Sequence, residues 1–291
     1  MISFVILHYI VVEETIKCVN SILTNVSGKK SIIIVDNASP NDSYEELSNY
    51  FANEKQVTLL HSENNLGFAR GNNLGYEFAV KNYSPDFVVV MNNDMEICQA
   101  NFTDELYKSY QNYEYYIMGP DIYSTQKKYH QNPQTRKLPT KNQLKENYRK
   151  LKLKSIFKFL LPVKWCLFAI LGKKSVSNED RSHIPFVSEV VLNPMLHGSC
   201  YVFSKKFIDK YPDKCFYDKT FMYLEAEILY YLSIRRNEKM IYYPNIKIDH
   251  HEDVATDMAF KKQYQQSIFS IECLLQSTKA FLELIEEEEK A

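Results

Sequence analysis

Hydrophobic and polar positions alternate between two rhythms along the first third of the chain. ISFVILHY (residues 2–9) is a continuous apolar run rich in β-branched residues, and ETIKCVNSILTN (14–25) carries apolar positions at helical spacing. SIIIVDNAS (31–39) repeats the strand pattern, SYEELSNYFA (43–52) the helical one. VTLLHSE (57–63) then reads as a strand, GNNLGYEFAVKN (71–82) as a helix and DFVVVMNND (86–94) as a strand. Strands that are apolar throughout and separated by helices predict an α/β fold, a mostly parallel sheet covered on both faces. Ligands of such sheets bind beyond the carboxyl ends of the strands, where His8, Asp36 and Asp94 all stand.

The rhythm changes after residue 135. Between 136 and 174 twelve Lys and Arg are opposed by Glu146 alone, and SIFKFLLPVKWCLFAILG (155–172), with the single Trp, runs among them. Lysines beside bulky apolar residues suit an anionic membrane surface. The same stretch also reads as a helical insertion packed on the domain with its lysines in water. Pro162 is expected to break it. FMYLEAEILYYLSIRRNEK (221–239) then predicts a helix, MIYYPNIKI (240–248) a strand ending at Asp249, His250 and His251, and the tail from about 258 a helix closing in a solvated EEEEK. The expected organisation is a first α/β half (1–135), a basic helical insertion (136–185), a second mixed half (186–257) and a C-terminal helix with an acidic tail (258–291).

Composition narrows the setting. A length of 291 residues allows a sizeable core, and a formal net charge of −1 gives no bias toward nucleic acid. Six cysteines without paired spacing read as thiols of a reducing compartment. MISFVILHYI suits a first strand better than a signal peptide, and no apolar run reaches the ~20 residues of a membrane span. The cytoplasm, at the inner face of the cell membrane, is the expected location.

Three polar clusters carry candidate chemistry. Asp36 and Asn37 can hydrogen-bond a nucleobase or ribose, or form an Asx-turn that begins the next helix. In ENNLGFARGNNLG (63–75), Gly67 and Gly71 permit close backbone approach, Arg70 is a phosphate-competent cation, and Asn72 and Asn73 can cap the following helix. VVVMNNDMEI (88–97) ends an apolar run abruptly in Asn92, Asn93 and Asp94. That end is either a polar turn or a carboxylate placed at the mouth of a site.

VDNASPNDS, NNLGFARGNN, the strand ending in NND, HGSCYVFSKK and YPNIKIDHHED stand in the order of glycosyltransferase family 2. The chain resembles its bacterial capsular and O-antigen branch, with rhamnosyl- and galactosyltransferase-like members. The resemblance covers most of residues 1–257 and implies a GT-A fold that binds a UDP- or dTDP-linked sugar with Mn²⁺ or Mg²⁺, with 1–135 as its nucleotide-sugar-binding half and 186–257 as its acceptor and catalytic half. It implies further that Asp94 is the last acid of a reduced Asp-x-Asp motif and holds the metal. Asn92 and Asn93 orient without adding charge, and His250 completes the metal shell, which favours Mn²⁺. His8, Tyr9 and Asp36 would flank the nucleoside, Arg70 would lie toward the diphosphate, and His197, Gly198 and Ser199 beside the transferred sugar.

An inverting transfer needs a general base, which in similar proteins lies in an acidic pair at a helix start. Here YLEAEIL places Glu225 on the first acid and Ala226 on the base position. Glu225 or Glu227 serves instead, the protein is a silent sugar-nucleotide-binding or scaffold subunit, or Ala226 replaces an acid. The expected reaction is hexosyl transfer to a hydroxyl of a lipid-linked glycan. A sugar-1-phosphate nucleotidyltransferase fits less well, because residues 1–20 hold no glycine for its early Gly-rich loop.

Overall fold

Strand and helix alternate through the first hundred residues as the hydrophobic pattern predicts. The computed structural model describes residues 1–162, 185–252 and 263–290. Its elements begin with β1 (Ile2–His8), α1 (Val12–Asn25), β2 (Lys30–Asp36), α2 (Ser43–Tyr50), β3 (Val57–His61), α3 (Gly67–Tyr83) and β4 (Phe87–Asn92). β5 (Met95–Ile97), α4 (Phe102–Tyr113), β6 (Ile117–Ser124), β7 (Tyr129–His130) and α5 (Lys141–Ile156) follow. Then come β8 (Val191–Leu192), β9 (Cys200–Ser204), α6 (Lys205–Lys210), α7 (Glu225–Arg235), β10 (Met240–His250) and α8 (Gln263–Lys290).

The sheet runs β3-β2-β1-β4-β9-β6-β10-β5, with β7 on β6 and β8 on β10. β3, β2, β1 and β4 are parallel, as are β6 and β10, while β9 lies antiparallel between β4 and β6. Pro244 lies where the β6–β10 register shifts, between Tyr243 and Lys247, and its missing N–H is tolerated at such an irregularity. The stretches 1–135 and 186–257 therefore contribute strands to one sheet.

Side-chain alternation divides the core between the two faces. Phe4, Ile6, Ile32 and Ile34 pack with Val19 and Ile22 of α1 and Phe102 and Leu106 of α4. Val5, Ile33 and Val35 face the other way, against Ala69, Tyr76 and Ala79 of α3 and Leu229 of α7. α3 can lie close because Gly71 and Gly75 face the sheet. A Cβ on them would come within 2.6 Å of Leu7 and 2.5 Å of Val5. The close approach expected at Gly71 is thus made by a strand. α3 also starts at Gly67, so Asn72 and Asn73 stand inside it and do not cap it.

α5 is anchored by Leu144, which packs with Ile228, Phe281, Leu284 and Ile285 of α7 and α8. A capping box at Thr140 and Gln143 starts it. It ends at Ile156, before Pro162, and residues 163–184, including Trp165 and Cys166, lie outside the described residues. The acidic tail is more engaged than a solvated terminus. Glu287 pairs with Lys219 (3.2 Å), Glu288 with Arg236 (2.7 Å) and Glu289 with Lys141 (2.6 Å). Such exposed pairs fix orientation more than they stabilise. Cys18, Cys98, Cys200, Cys215 and Cys273 are free thiols. No helix among the described residues is long and apolar enough to cross a membrane.

Candidate active site

The carboxyl ends of β1, β2 and β4 gather the first group of polar residues. Asp36 is buried, and its Oδ2 lies 2.8 Å from Nδ1 of the half-exposed His61, whose ring packs on Tyr44. Its Oδ1 accepts from Ser39 N at 3.4 Å, the Asx-type contact. His8 is fully buried. Burial pushes its imidazole down to about 4 against the opposing pull of Asp36, so the ring is neutral. Its Nδ1 meets Thr15 Oγ1 at 2.7 Å, which also accepts from Asn93 Nδ2 at 3.0 Å. His8 and Asn93 therefore form a layer beneath the surface. Tyr9 is half-buried above them.

Asn37 and Asn73 hold the backbone. Asn37 Oδ1 accepts from Leu66 N (2.8 Å) while its Nδ2 donates to Asn65 Oδ1 (3.1 Å) and Gly67 O (3.3 Å). Asn73 Oδ1 accepts from the N–H groups of Cys215 (3.0 Å) and Phe216 (2.9 Å), and its Nδ2 donates to Phe216 O (2.8 Å). Gly67 has φ +74°, and a Cβ there would fall 2.1 Å from Phe221 O. Only glycine fits, because that carbonyl accepts from Phe68 N at 2.7 Å. Arg70 is exposed on the first turns of α3, with Nε donating to Leu66 O at 3.3 Å.

At the second cluster the ends of β4 and β10 meet. Asn92 closes β4, its N–H donating to Ser199 O at 2.8 Å. Asp94 follows in the turn to β5, and its backbone oxygen accepts from His251 N at 2.9 Å. The side chains of Asp94 and His250 converge, with Oδ1 3.3 Å from Nε2. Among the described residues Asp94 Oδ1 is buried without a hydrogen-bond partner. A carboxylate oxygen and an imidazole nitrogen facing one point fit a divalent cation. Among the described residues no three carboxylate, imidazole or thiol groups gather round such a point. These two would therefore share the ion with ligand oxygens or water. His197 lies beside them, its ring centroid 5.9 Å from that of His250 and its Nδ1 2.8 Å from Ser199 Oγ. A Cβ at Gly198 would meet nothing within 4 Å among the described residues, so their packing does not demand that glycine.

Residues 130–136 (HQNPQTR), which carry no sequence motif, link this cluster to the acidic helix start. Gln131 Oε1 lies 2.6 Å from His250 Nδ1, and Asn132 Oδ1 accepts from His197 N at 2.6 Å. Gln134 N donates to Met195 O at 2.9 Å, and Arg136 reaches Glu227 Oε1 at 2.7 Å. The only signal in the sequence is a density of amides just after a strand.

α7 begins at Glu225, preceded by Tyr223 (φ +73°) and Leu224 (φ +70°), two non-glycine residues in the left-handed region. Strain of this kind costs about 1–3 kcal/mol per residue and persists where surrounding contacts enforce it. Here Tyr223 OH meets Ser270 Oγ at 3.0 Å, and Met222 O accepts from Ser277 Oγ at 2.8 Å. Glu225 is 9 % exposed. Burial pushes its carboxyl up to about 7, partly offset by hydrogen bonds from its own backbone N–H, Thr220 and Tyr223, and among the described residues its Oε1 has no partner. Glu227 is buried and pairs with Arg136, and its charge adds to the upward push on Glu225. Ala226, by contrast, belongs to the apolar cluster with Tyr201, Phe216 and Leu229.

The chain has known relatives. Residues 3–177 match glycosyl transferase family 2. Low-salt glycan biosynthesis hexosyltransferase Agl10 of Haloferax volcanii is 30 % identical over 121 residues, 42 % of this chain and 36 % of that protein. Glycosyltransferase GlyG of Streptococcus pneumoniae is 28 % identical over 111 residues, 38 % of this chain and 35 % of that one. The matched stretch thus spans about a third of each relative. Among solved structures, S. aureus TarS 1–349 superposes with a TM-score of 0.53 at 8 % identity, covering 86 % of this chain and 60 % of TarS. GalNAc-T7 with UDP, GalNAc and Mn²⁺ gives 0.55 at 12 % identity, over 86 % of this chain and 43 % of that one. The architecture is therefore GT-A-like, and the chain belongs to glycosyl transferase family 2.

Proposed function

We propose that the protein is an inverting glycosyltransferase that moves a hexose from a UDP- or dTDP-linked donor to a hydroxyl of a lipid-linked surface glycan, assisted by Mn²⁺ or Mg²⁺. The observation that carries the reading is Asp94 Oδ1, buried without a hydrogen-bond partner among the described residues and 3.3 Å from His250 Nε2. GalNAc-T7 was solved with UDP and Mn²⁺, and TarS with UDP. Asp36 and His61 suit the donor's base and ribose, Arg70 its diphosphate, and the space beside Gly198 its sugar. A bound divalent metal would neutralise the charge that grows on the departing diphosphate.

Glu225 is the base. Its carboxylate takes the proton of the acceptor hydroxyl while that oxygen bonds to the anomeric carbon, and the bond from that carbon to the diphosphate oxygen breaks. A carboxyl near 7 is matched to such a transfer at neutral pH. Glu227, bound to Arg136, orients the helix start. The acceptor reading draws on Leu153, Ile156, Phe157, Phe159 and Leu160, all exposed beside Lys150, Lys152 and Lys154. That composition suits an anionic membrane surface, where a lipid-linked acceptor lies. The test is nucleoside-diphosphate release from UDP- and dTDP-hexoses with Mn²⁺ and lipid-linked acceptors, with product configuration read by NMR. Metal-independent turnover, or a product that retains the donor's configuration, would refute the proposal.

A further inference from the structure

We infer that Gln131 is a positioning residue that sets the tautomer of His250 and so presents a lone pair to the metal. The inference rests on the metal-assisted reading above. It follows from hydrogen-bond polarity along one buried chain. Glu252 is held by Lys127, with Nζ 2.8 Å from Oε2, and an ionised carboxylate only accepts. Gln131 Nε2 donates to Glu252 Oε1, so the amide nitrogen faces Glu252 and the amide oxygen faces His250. Oε1, 2.6 Å from His250 Nδ1, requires Nδ1 to carry the proton. With Nδ1 as the protonated nitrogen, the nitrogen left to carry a lone pair is Nε2, aimed at Asp94 Oδ1. Two electron-pair donors that face each other without a proton between them form a site that a cation completes. Gln131 and Glu252 are both buried, so water competes little for these contacts. Residues that orient a ligating imidazole in this way typically contribute 10–100-fold in metal affinity.

The test measures Mn²⁺ binding to the full chain by electron paramagnetic resonance titration, with UDP and separately with dTDP, in four proteins. Gln131→Leu is expected to weaken Mn²⁺ binding 10–100-fold, and Asp94→Ala to abolish it. The double variant Gln131→Glu with Glu252→Gln keeps an acceptor toward His250 and a donor toward residue 131. It is expected to recover most of the affinity. A residue that merely fills space would gain nothing from that exchange. Wild-type affinity in Gln131→Leu, or a double variant no better than Gln131→Leu, overturns the inference while the Asp94 result leaves the metal reading standing. Unchanged binding in Asp94→Ala overturns both.

Discussion

Replacing Glu225 with Gln is expected to stabilise the protein and inactivate it together. The carboxyl titrates near 4.5 when solvated and near 7 in the fold, chiefly because burial disfavours its charge. Below pH 4.5 both states hold the proton and the fold loses nothing. Between 4.5 and 7 the unfolded chain releases it while the fold retains it, so stability falls as pH rises. Above about 7 the full cost is present, and a shift from 4.5 to about 7 corresponds to ~3 kcal/mol. Gln keeps the shape without the charge. Chemical denaturation should therefore show Glu225→Gln more stable than wild type by up to ~3 kcal/mol at pH 8 and nearly equal to it near pH 4.5. In the same protein transfer should fall by at least ~100-fold, the scale of a lost general base. The wild-type kcat/KM should rise through an apparent pKa near 7 and level above it. A variant no more stable at pH 8 than wild type would refute the burial argument. Retained turnover would refute the role of base.

Other perturbations test the frame around that residue. Asn73→Ala leaves the N–H groups of Cys215 and Phe216 without their acceptor, and urea unfolding should show a loss of about 3 kcal/mol. Gly67→Ala drives a Cβ toward Phe221 O and forces φ +74° on alanine. Its stability should fall by more than ~1 kcal/mol, and turnover should fall because the displaced loop leads to Glu225. Deleting α5 would uncover Phe281 and Leu284, so the membrane reading is better tested by Ile156→Ser with Phe159→Ser. Sedimentation with anionic vesicles should show at least ~10-fold weaker binding for that variant and salt-sensitive binding for wild type. Equal binding by both removes the membrane contact.

The first four strands and three helices are legible in the sequence because β1, β2 and β4 are buried on both faces and read as unbroken apolar runs, while the half-buried edge strand β3 keeps a short apolar run between polar turns. β9 is different. CYVFS predicts a strand, but nothing local says that it runs antiparallel between β4 and β6, since that choice depends on partners far away in the chain. The site divides in the same way. Asp94 and His250 are legible as strand-end residues. Gln131 and Asn132 are not, because their roles are contacts to His250 and His197, 119 and 65 positions away. A polar loop such as HQNPQTR reads like any turn until those partners are in place.

Amides and acids at the strand ends look equally functional in one dimension, but most of the amides are satisfied within the protein, Asn72 Oδ1 being an exception. Asn37, Asn73, Gln131 and Asn132 each have both the carbonyl and the amino group engaged by the protein itself. An amide can accept and donate, so it suits the closing of loops whose backbone groups would otherwise be buried unpaired. A carboxylate can only accept. Among the described residues Asp94 and Glu225 each keep a buried oxygen that no donor reaches, although an unpaired buried oxygen costs stability. Structural selection alone would favour an amide or an apolar residue at both positions. The two acids are therefore where ligand chemistry is to be expected: a cation for Asp94, and for Glu225 the proton of an incoming hydroxyl.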